Sequence, residues 1–229
     1  VFEAENGVQG CEIAYREIPD LIISDIMMPE MDGIQLCAEL KNDESTNHIP
    51  IILLTAKSTV ESKMEGFKTG ADDYIPKPFS PDLLIVRLQN LISTRELLKE
   101  KFKRQFLLQP REVLIESADD KFLVKALKIV EDHISDPVFD VKQFVREIGM
   151  SRSVLYRKLE AVTGQSANEF LRNIRLKRAA QLLSQNKMTV SEVSYEVGFN
   201  DPQYFSKCFS KQFGKTPSDY AAGNSAKKR

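Results

Sequence analysis

The sequence predicts a two-part chain: an α/β first half built on a doubly wound parallel sheet, then an all-α second half. Three observations carry that prediction. The short apolar runs Leu21-Ile-Ile-Ser24 and Ile49 to Thr55 are bounded by turn residues and alternate with segments of helical periodicity, the order that parallel strands with crossover helices require. From Phe122 onward only helical periodicity remains. Charge divides in the same way: residues 1–92 hold 7 basic and 16 acidic side chains, a balance of −9, whereas residues 122–229 hold 18 and 11, a balance of +7. An acidic half joined to a basic half predicts different partners for each, the basic one suited to a polyanion.

The overall composition is that of a globular protein. The 229 residues, 42% hydrophobic and 28% charged, are enough for two domains with separate cores. Cys11, Cys37 and Cys208 are too scattered for a zinc ligand set and too few for a disulfide framework, so free thiols in a reducing cytosol are expected. His48 and His133 stand alone and are read as structural rather than as ligands or catalysts. No apolar stretch approaches the roughly 18 residues a bilayer span needs, and the first residues have neither the basic flank nor the apolar core of a signal peptide. A soluble, cytoplasmic segment without membrane contact is the expectation.

In chain order, Val1 to Ala4 reads as strand-like and Asn6-Gly7 breaks it. Ala4, Val8, Cys11, Ala14 and Tyr15 then outline an amphipathic helix over about Gly7 to Glu17. The strand Leu21 to Ser24 runs into the carboxylate of Asp25, and Pro29 with Asp32-Gly33 forces a turn just past it. A helix follows near Ile34 to Asn42, then the strand Ile49 to Thr55, a helix near Val60 to Thr69 and a short strand Asp73 to Ile75. Ser80-Pro81 supplies an N-cap and a first-turn proline for the next helix. In such a sheet Asp25, Thr55 and Lys77 fall at or just beyond carboxyl ends of strands, where α/β folds gather their ligands.

Asp25-Ile-Met-Met-Pro-Glu-Met-Asp-Gly33, Leu54-Thr55-Ala56-Lys57 and Lys77-Pro78-Phe79, in this order, resemble the receiver domain of two-component response regulators, whose fold is flavodoxin-like. The resemblance implies that Asp25 is the phospho-acceptor, that Met27 offers a backbone carbonyl to Mg²⁺ beside Asp25, and that Thr55 and Lys77 hold the phosphoryl oxygens. It also makes Thr55 and Tyr74 the switch pair, and the Lys77-Pro78 bond cis. The chemistry suits these groups, because a carboxylate can take a phosphoryl group as an acyl phosphate while a hydroxyl and an ammonium hold its oxygens. The family carries a first strand and an acidic Mg²⁺-binding pair well upstream of the acceptor, and here only 24 residues precede Asp25. The expectation is therefore an incomplete receiver over residues 1–92, lacking its first strand, taken from a longer chain and binding Mg²⁺ weakly or not at all.

Residues 93–121 read as a helical connector. Leu83, Leu84, Val86, Leu88, Leu91, Ile92, Leu97 and Leu98 carry the last receiver helix into the charged stretch Glu96 to Arg104, for which pairing with a second copy and a solvated linker helix both stand open. Gln109-Pro110 stops it, Val113-Leu-Ile115 reads as a short extended piece, and Ser117 to Asp120 opens a helix over Lys121 to Ile134.

The basic half, residues 122–229, contains a repeat. Val141, Phe144, Val145 and Ile148 form an apolar face ended by Gly149, and Ser151 caps a helix that turns Val154, Leu155, Leu159 and Val162 inward. Val190, Val193 and Val197 repeat the first face up to Gly198, and Asp201-Pro202 starts a helix with Phe205, Phe209 and Phe213 inward. Gly149 and Gly198 are 49 positions apart, Leu155 and Phe205 are 50 apart, so two helix-turn-helix units are present with a long helix, Ala167 to Leu183, between them. Val197-Gly-Phe-Asn-Asp-Pro-Gln-Tyr-Phe-Ser-Lys-Cys-Phe209, with Phe213-Gly214 and Thr216-Pro217-Ser218, resembles the AraC-type DNA-binding domain. Outward positions on the two recognition helices are Arg152, Ser153, Tyr156 and Arg157, then Gln203, Tyr204, Ser206 and Lys207. Arg and Gln suit guanine and adenine edges, Lys and Ser suit phosphates.

Together these readings predict a sequence-specific transcription regulator controlled by phosphorylation of Asp25, with duplex DNA and a histidine kinase as partners and a homodimer as one arrangement. The arrangement also looks like the cytoplasmic end of hybrid two-component proteins, in which the full chain can be anchored in the inner membrane. The alternatives are a phosphotransfer relay whose DNA binding is not gated, and a phosphohydrolase. The last is disfavoured because such enzymes place a second acid two residues after the nucleophile, where this chain has Met27. The chain is accordingly read as a regulator and not an enzyme.

Overall fold

The computed structural model of the chain describes residues 1–56, 70–108 and 118–225. It divides into two compact units, residues 1–122 with 160–164 and residues 123–159 with 165–229. The helix expected near Val60 to Thr69, together with Lys57, the stop at Gln109-Pro110, the piece Val113 to Ile115, the cap at Ser117 and the tail Lys227 to Arg229, lies outside the described residues.

In the first unit three parallel strands, β1 (Ile22–Asp25), β2 (Ile51–Thr55) and β3 (Asp73–Pro76), form a sheet in the order β1-β2-β3. Ile22 sits opposite Ile51 and Asp25 opposite Leu54; Ile52 sits opposite Asp73 and Thr55 opposite Pro76. Helix α1 (Gly7–Glu17) starts at Asn6, whose side chain accepts the Gln9 amide at 2.9 Å, and ends at Ile18 in the left-handed region. Helix α2 (Gly33–Asn42) opens with a reciprocal capping box between Asp32 and Gln35.

The core on one sheet face joins Cys11 and Ala14 of α1, Leu36, Cys37 and Leu40 of α2, and Ile51, Leu53 and Tyr74 of the sheet. Ile51 and Leu53 share that face because side chains alternate along a strand. One cation ties the layers together: Lys41 donates to the Ile49 carbonyl at 2.9 Å and to Asp72 at 2.7 Å, and Asp72 in turn accepts the Ile51 amide at 2.8 Å.

Val1 to Ala4 do not form a strand, contrary to the sequence expectation, and Val1 and Phe2 are exposed. Their pattern suits a strand, but β1 pairs only with β2, so the segment gains no ladder hydrogen bonds. Helix α3 (Pro81–Leu108) begins as expected, with the Ser80 hydroxyl accepting the Leu83 amide at 3.2 Å, and runs unbroken to Leu108. Arg87 fastens it to Asp73 of β3 at 3.4 Å.

The second unit is helical. Helix α4 (Ala118–Asp132) buries Leu123, Ala126, Leu127 and Val130, the spacing of one helix face. Helix α5 (Val141–Ile148) starts from an Asp140–Gln143 capping box and ends at Gly149 with φ 78°. Helix α6 (Arg152–Thr163) starts with the Ser151 hydroxyl accepting the Val154 amide at 3.3 Å. Helix α7 (Ala167–Gln185) opens with a Ser166–Glu169 box, and α8 (Val190–Glu196) with a Thr189–Glu192 box. Helix α9 (Pro202–Phe213) starts at Asp201-Pro202 and ends at Gly214 with φ 69°.

Sequence reasoning did not anticipate α10 (Pro217–Ser225), which follows Thr216 and packs Tyr220 edge-on to Phe209 at 5.4 Å. The second helix-turn-helix core is aromatic: Phe199 meets Phe205 at 5.2 Å, Phe205 meets Phe209 at 5.7 Å, and Phe209 meets Phe213 at 4.5 Å. Around the first, Phe144 stacks on Phe170 at 6.1 Å. Such contacts add to area burial in holding the turns of each unit.

Candidate functional site

The register of the sheet puts Asp25, Thr55 and the Pro76-Lys77 step side by side. The Ile26 amide donates to the Leu54 carbonyl at 3.0 Å and the Lys77 amide to the Thr55 carbonyl at 2.7 Å, so both crossings stay in step just past the strand ends. From there the Lys77 ammonium bonds the Asp25 carboxylate directly. The Met27 amide donates to the other carboxylate oxygen at 3.4 Å. The Lys77 hydrogen bond, aided by the Met27 amide, lowers the Asp25 pKa from its ordinary value, against a smaller opposing effect of burial. About a third of the Asp25 side chain remains open to solvent.

Two glycines make this geometry possible. A Cβ at Gly33 would lie 2.1 Å from the Asp25 carbonyl oxygen, and the Gly33 amide donates to the Ile26 carbonyl at 2.9 Å. Only a residue without a side chain lets α2 begin beneath the Asp25 loop. Gly7 plays the same part against Met31, whose carbonyl would be 2.5 Å from a Cβ there. The Lys77–Pro78 bond is cis.

The structure brings Asp25 and Lys77 into contact and lays Thr55 beside them at the end of β2, buried. Tyr74 is buried in the sheet core, and Met27 is exposed. Among the described residues no group of three or more His, Cys, Asp or Glu side chains converges to hold a metal ion. The donors assigned to Mg²⁺ from the sequence are the Asp25 carboxylate and the Met27 backbone carbonyl, oxygen ligands of the kind that ion takes alongside its own waters.

The second candidate surface is on α6 and α9. Arg152, Ser153 and Arg157 are exposed, Tyr156 is half-buried, and the Arg152 guanidinium lies 5.4 Å from the Tyr156 ring centre. Leu155 and Leu159 are buried on the opposite side, as expected, and so is Lys158, which sequence reasoning did not mark. On α9, Gln203, Tyr204 and Lys207 are exposed. Ser206 is half-buried and its hydroxyl donates to the Pro202 carbonyl at 2.8 Å, so its proton is engaged within its own helix. Lys211 continues the exposed line of Gln203 and Lys207 at intervals of four residues, a spacing legible in the sequence but not used there.

Comparison with known proteins matches two separate segments of the chain. Residues 1–89 match the response regulator receiver domain family and residues 144–223 a helix-turn-helix domain family. The chain is 48% identical over 220 residues to histidine kinase P4 of Formosa agariphila, an alignment covering 96% of this chain and 16% of that protein. It is 49% identical over 90 residues to the phosphate regulon transcriptional regulatory protein PhoB of Pseudomonas aeruginosa, covering 39% of each. A crystal structure of a transcriptional regulator with an AraC-type DNA-binding domain, from Chromobacterium violaceum, shares 26% identity over 45% of this chain and 92% of that one, with a TM-score of 0.43.

The chain thus spans less than half the length of these curated relatives. Receiver domains typically bind Mg²⁺ and interact with histidine kinases, and helix-turn-helix domains bind DNA; neither domain is an enzyme. No helix among the described residues is long and apolar enough to cross a membrane. The chain thus joins a segment that matches the response regulator receiver domain family to a segment that matches a helix-turn-helix domain family.

Proposed function

We propose that this chain is the output end of a two-component system, in which phosphorylation of Asp25 governs how the helix-turn-helix units engage DNA. The observation that carries the reading is the bonded Asp25–Lys77 pair at the strand ends, in one chain with two exposed recognition-helix faces. An Asp25 carboxylate oxygen attacks the phosphorus of a phosphohistidine or small acyl phosphate; the P–N or P–O bond to the donor breaks, and the donor leaves with that electron pair. Lys77, already within bonding distance, then shares its charge with the new phosphoryl oxygens. Phosphorylation adds about −1.5 to −2 charge at this point.

Thr55 and Tyr74 relay the change, and the sequence-derived boundaries at residues 92 and 121 separate receiver, connector and DNA-binding domain in this reading. Pairing through α3 suits the exposed Leu83, Ile85, Val86, Ile92 and Leu97 on that helix. The DNA-reading side chains are Arg152, Ser153, Tyr156 and Arg157 on α6, and Gln203, Tyr204, Ser206 and Lys207 on α9.

The test is to label the chain with a phosphohistidine donor and compare DNA affinity by fluorescence anisotropy before and after. Label confined to Asp25, absent in Asp25→Asn, with tighter DNA binding on phosphorylation, is the expected result. The likeness to a histidine kinase over 96% of this chain favours one second reading, a relay within a hybrid protein. Under that reading label still enters Asp25 while DNA affinity stays the same.

A further inference from the structure

A groove of about 350 Å³ lies in the second unit between α7 and α9, lined by Glu169 and Arg172 from the first helix and by Tyr204, Lys207, Lys211 and Gln212 from the second. Three cations face one carboxylate there. Among the described residues none of the three cations forms an ion pair. One oxygen of the Glu169 carboxylate, Oε2, accepts from the Ser166 hydroxyl at 2.7 Å and from the Ser166 amide at 3.0 Å. Those bonds first, and the nearby charges of Arg172 and Lys211 after them, hold its carboxyl below the ordinary value, so it stays an anion committed to its own helix cap. The groove is left with surplus positive charge from side chains whose donors are free to turn inward.

Its position gives that charge a use. Gln203, Lys207 and Lys211 lie on one exposed stripe of α9, opposite the buried Phe205 and Phe209. Lys211 lies eight residues, about 12 Å, beyond Gln203 along the helix. With the N-terminal part of the helix at the base edges, Lys211 is carried out toward the flanking phosphates. Arg172 stands across the groove from it on a different helix, where it can grip the same phosphate from the other side.

We propose that this groove seats a backbone phosphate of duplex DNA, with Arg172 and Lys211 as the holding side chains, so that the interface extends from α9 onto α7. This rests on the reading of the second unit as DNA-binding. A phosphate on a free metabolite presents the same chemistry; the DNA source is favoured because the groove shares Tyr204 and Lys207 with the recognition helix.

The test measures binding of the full chain to a mixed-sequence duplex as a function of salt, for the parent chain and for Arg172→Ala, Lys211→Ala, the two combined, and Lys211→Arg. The double variant Arg172→Ala with Lys211→Ala is expected to lower the slope of log affinity against log salt by about 0.9, so that the tightening between 200 and 50 mM salt shrinks about 3-fold to 4-fold, and each single alanine variant to lower it by part of that. Lys211→Arg keeps the parent slope. A parent slope in the double variant, with DNA still bound, overturns the proposal. So does saturable binding of inorganic phosphate to the DNA-free chain that Arg172→Ala abolishes while DNA slopes stay unchanged. A parent chain with no affinity for any duplex overturns the DNA-binding reading itself, a result distinct from the other two.

Discussion

The ammonium of Lys77, just past β3, is bonded to the carboxylate of Asp25 at the end of β1, a contact between residues 52 positions apart. A cation so placed keeps the carboxylate ionised and hence nucleophilic. It also fixes the distance between two strand ends that do not pair with one another, since β2 lies between them.

Replacing Lys77 with Met is expected to raise the Asp25 pKa toward its ordinary value, read by carboxyl carbon NMR titration. The folded pKa is depressed, so the pair's contribution to stability is present above about pH 4 and fades as pH falls below it. Both side chains are more than a third exposed, and solvent screening holds the loss to under about 1 kcal/mol. A pH-dependent stability difference confined to neutral pH and above would contradict this assignment.

Gly149 and Gly198 offer a matched pair. Both have positive φ, 78° and 75°, but nothing lies within 4 Å of a Cβ at Gly149, whereas one at Gly198 would sit 2.7 Å from the Ile134 carbonyl oxygen. Gly149→Ala is expected to cost about 1 to 2 kcal/mol for the left-handed backbone alone. Gly198→Ala adds a collision and is expected to cost about 1 to 3 kcal/mol more in urea denaturation.

Arg157→Ala is expected to weaken binding to a selected operator by about 1 to 3 kcal/mol while changing affinity for mixed-sequence DNA much less. Equal losses on both DNAs would move Arg157 from base reading to phosphate contact.

Elements whose start and stop signals are local were legible in the sequence. Ser80, Ser151 and Asp201 each cap the helix they were expected to open, and Gly149 and Gly198 mark the turns. Features that depend on distant partners were not. Val1 to Ala4 have a strand's composition but no second strand to bond. Helix α10 follows Thr216-Pro217, a usable start signal, yet its Ala-Ala-Gly-Asn-Ser ending is a weak helix sequence that gains support from Tyr220 against Phe209. The hydroxyl of Ser206 could not be seen to turn back on Pro202, because helix propensity says nothing of which acceptor a serine chooses. At the proposed acceptor site, Asp25, Thr55 and Lys77 could be named from their positions at strand ends, but the need for Gly33 beneath the loop emerges only in three dimensions.

Arg175, midway along α7, donates to the carbonyls of Asp136 and Phe139 at 2.7 and 3.1 Å, ahead of the first helix-turn-helix, and its guanidinium lies where a Cβ at Gly198 would meet it at 3.1 Å in the turn of the second. One side chain of α7 thus touches segments beside the turns of both helix-turn-helix units. On the DNA-binding reading proposed above, adding or removing one base pair between half-sites turns the second by roughly a tenth of a helical repeat, and such a target is expected to bind more weakly than the parent site.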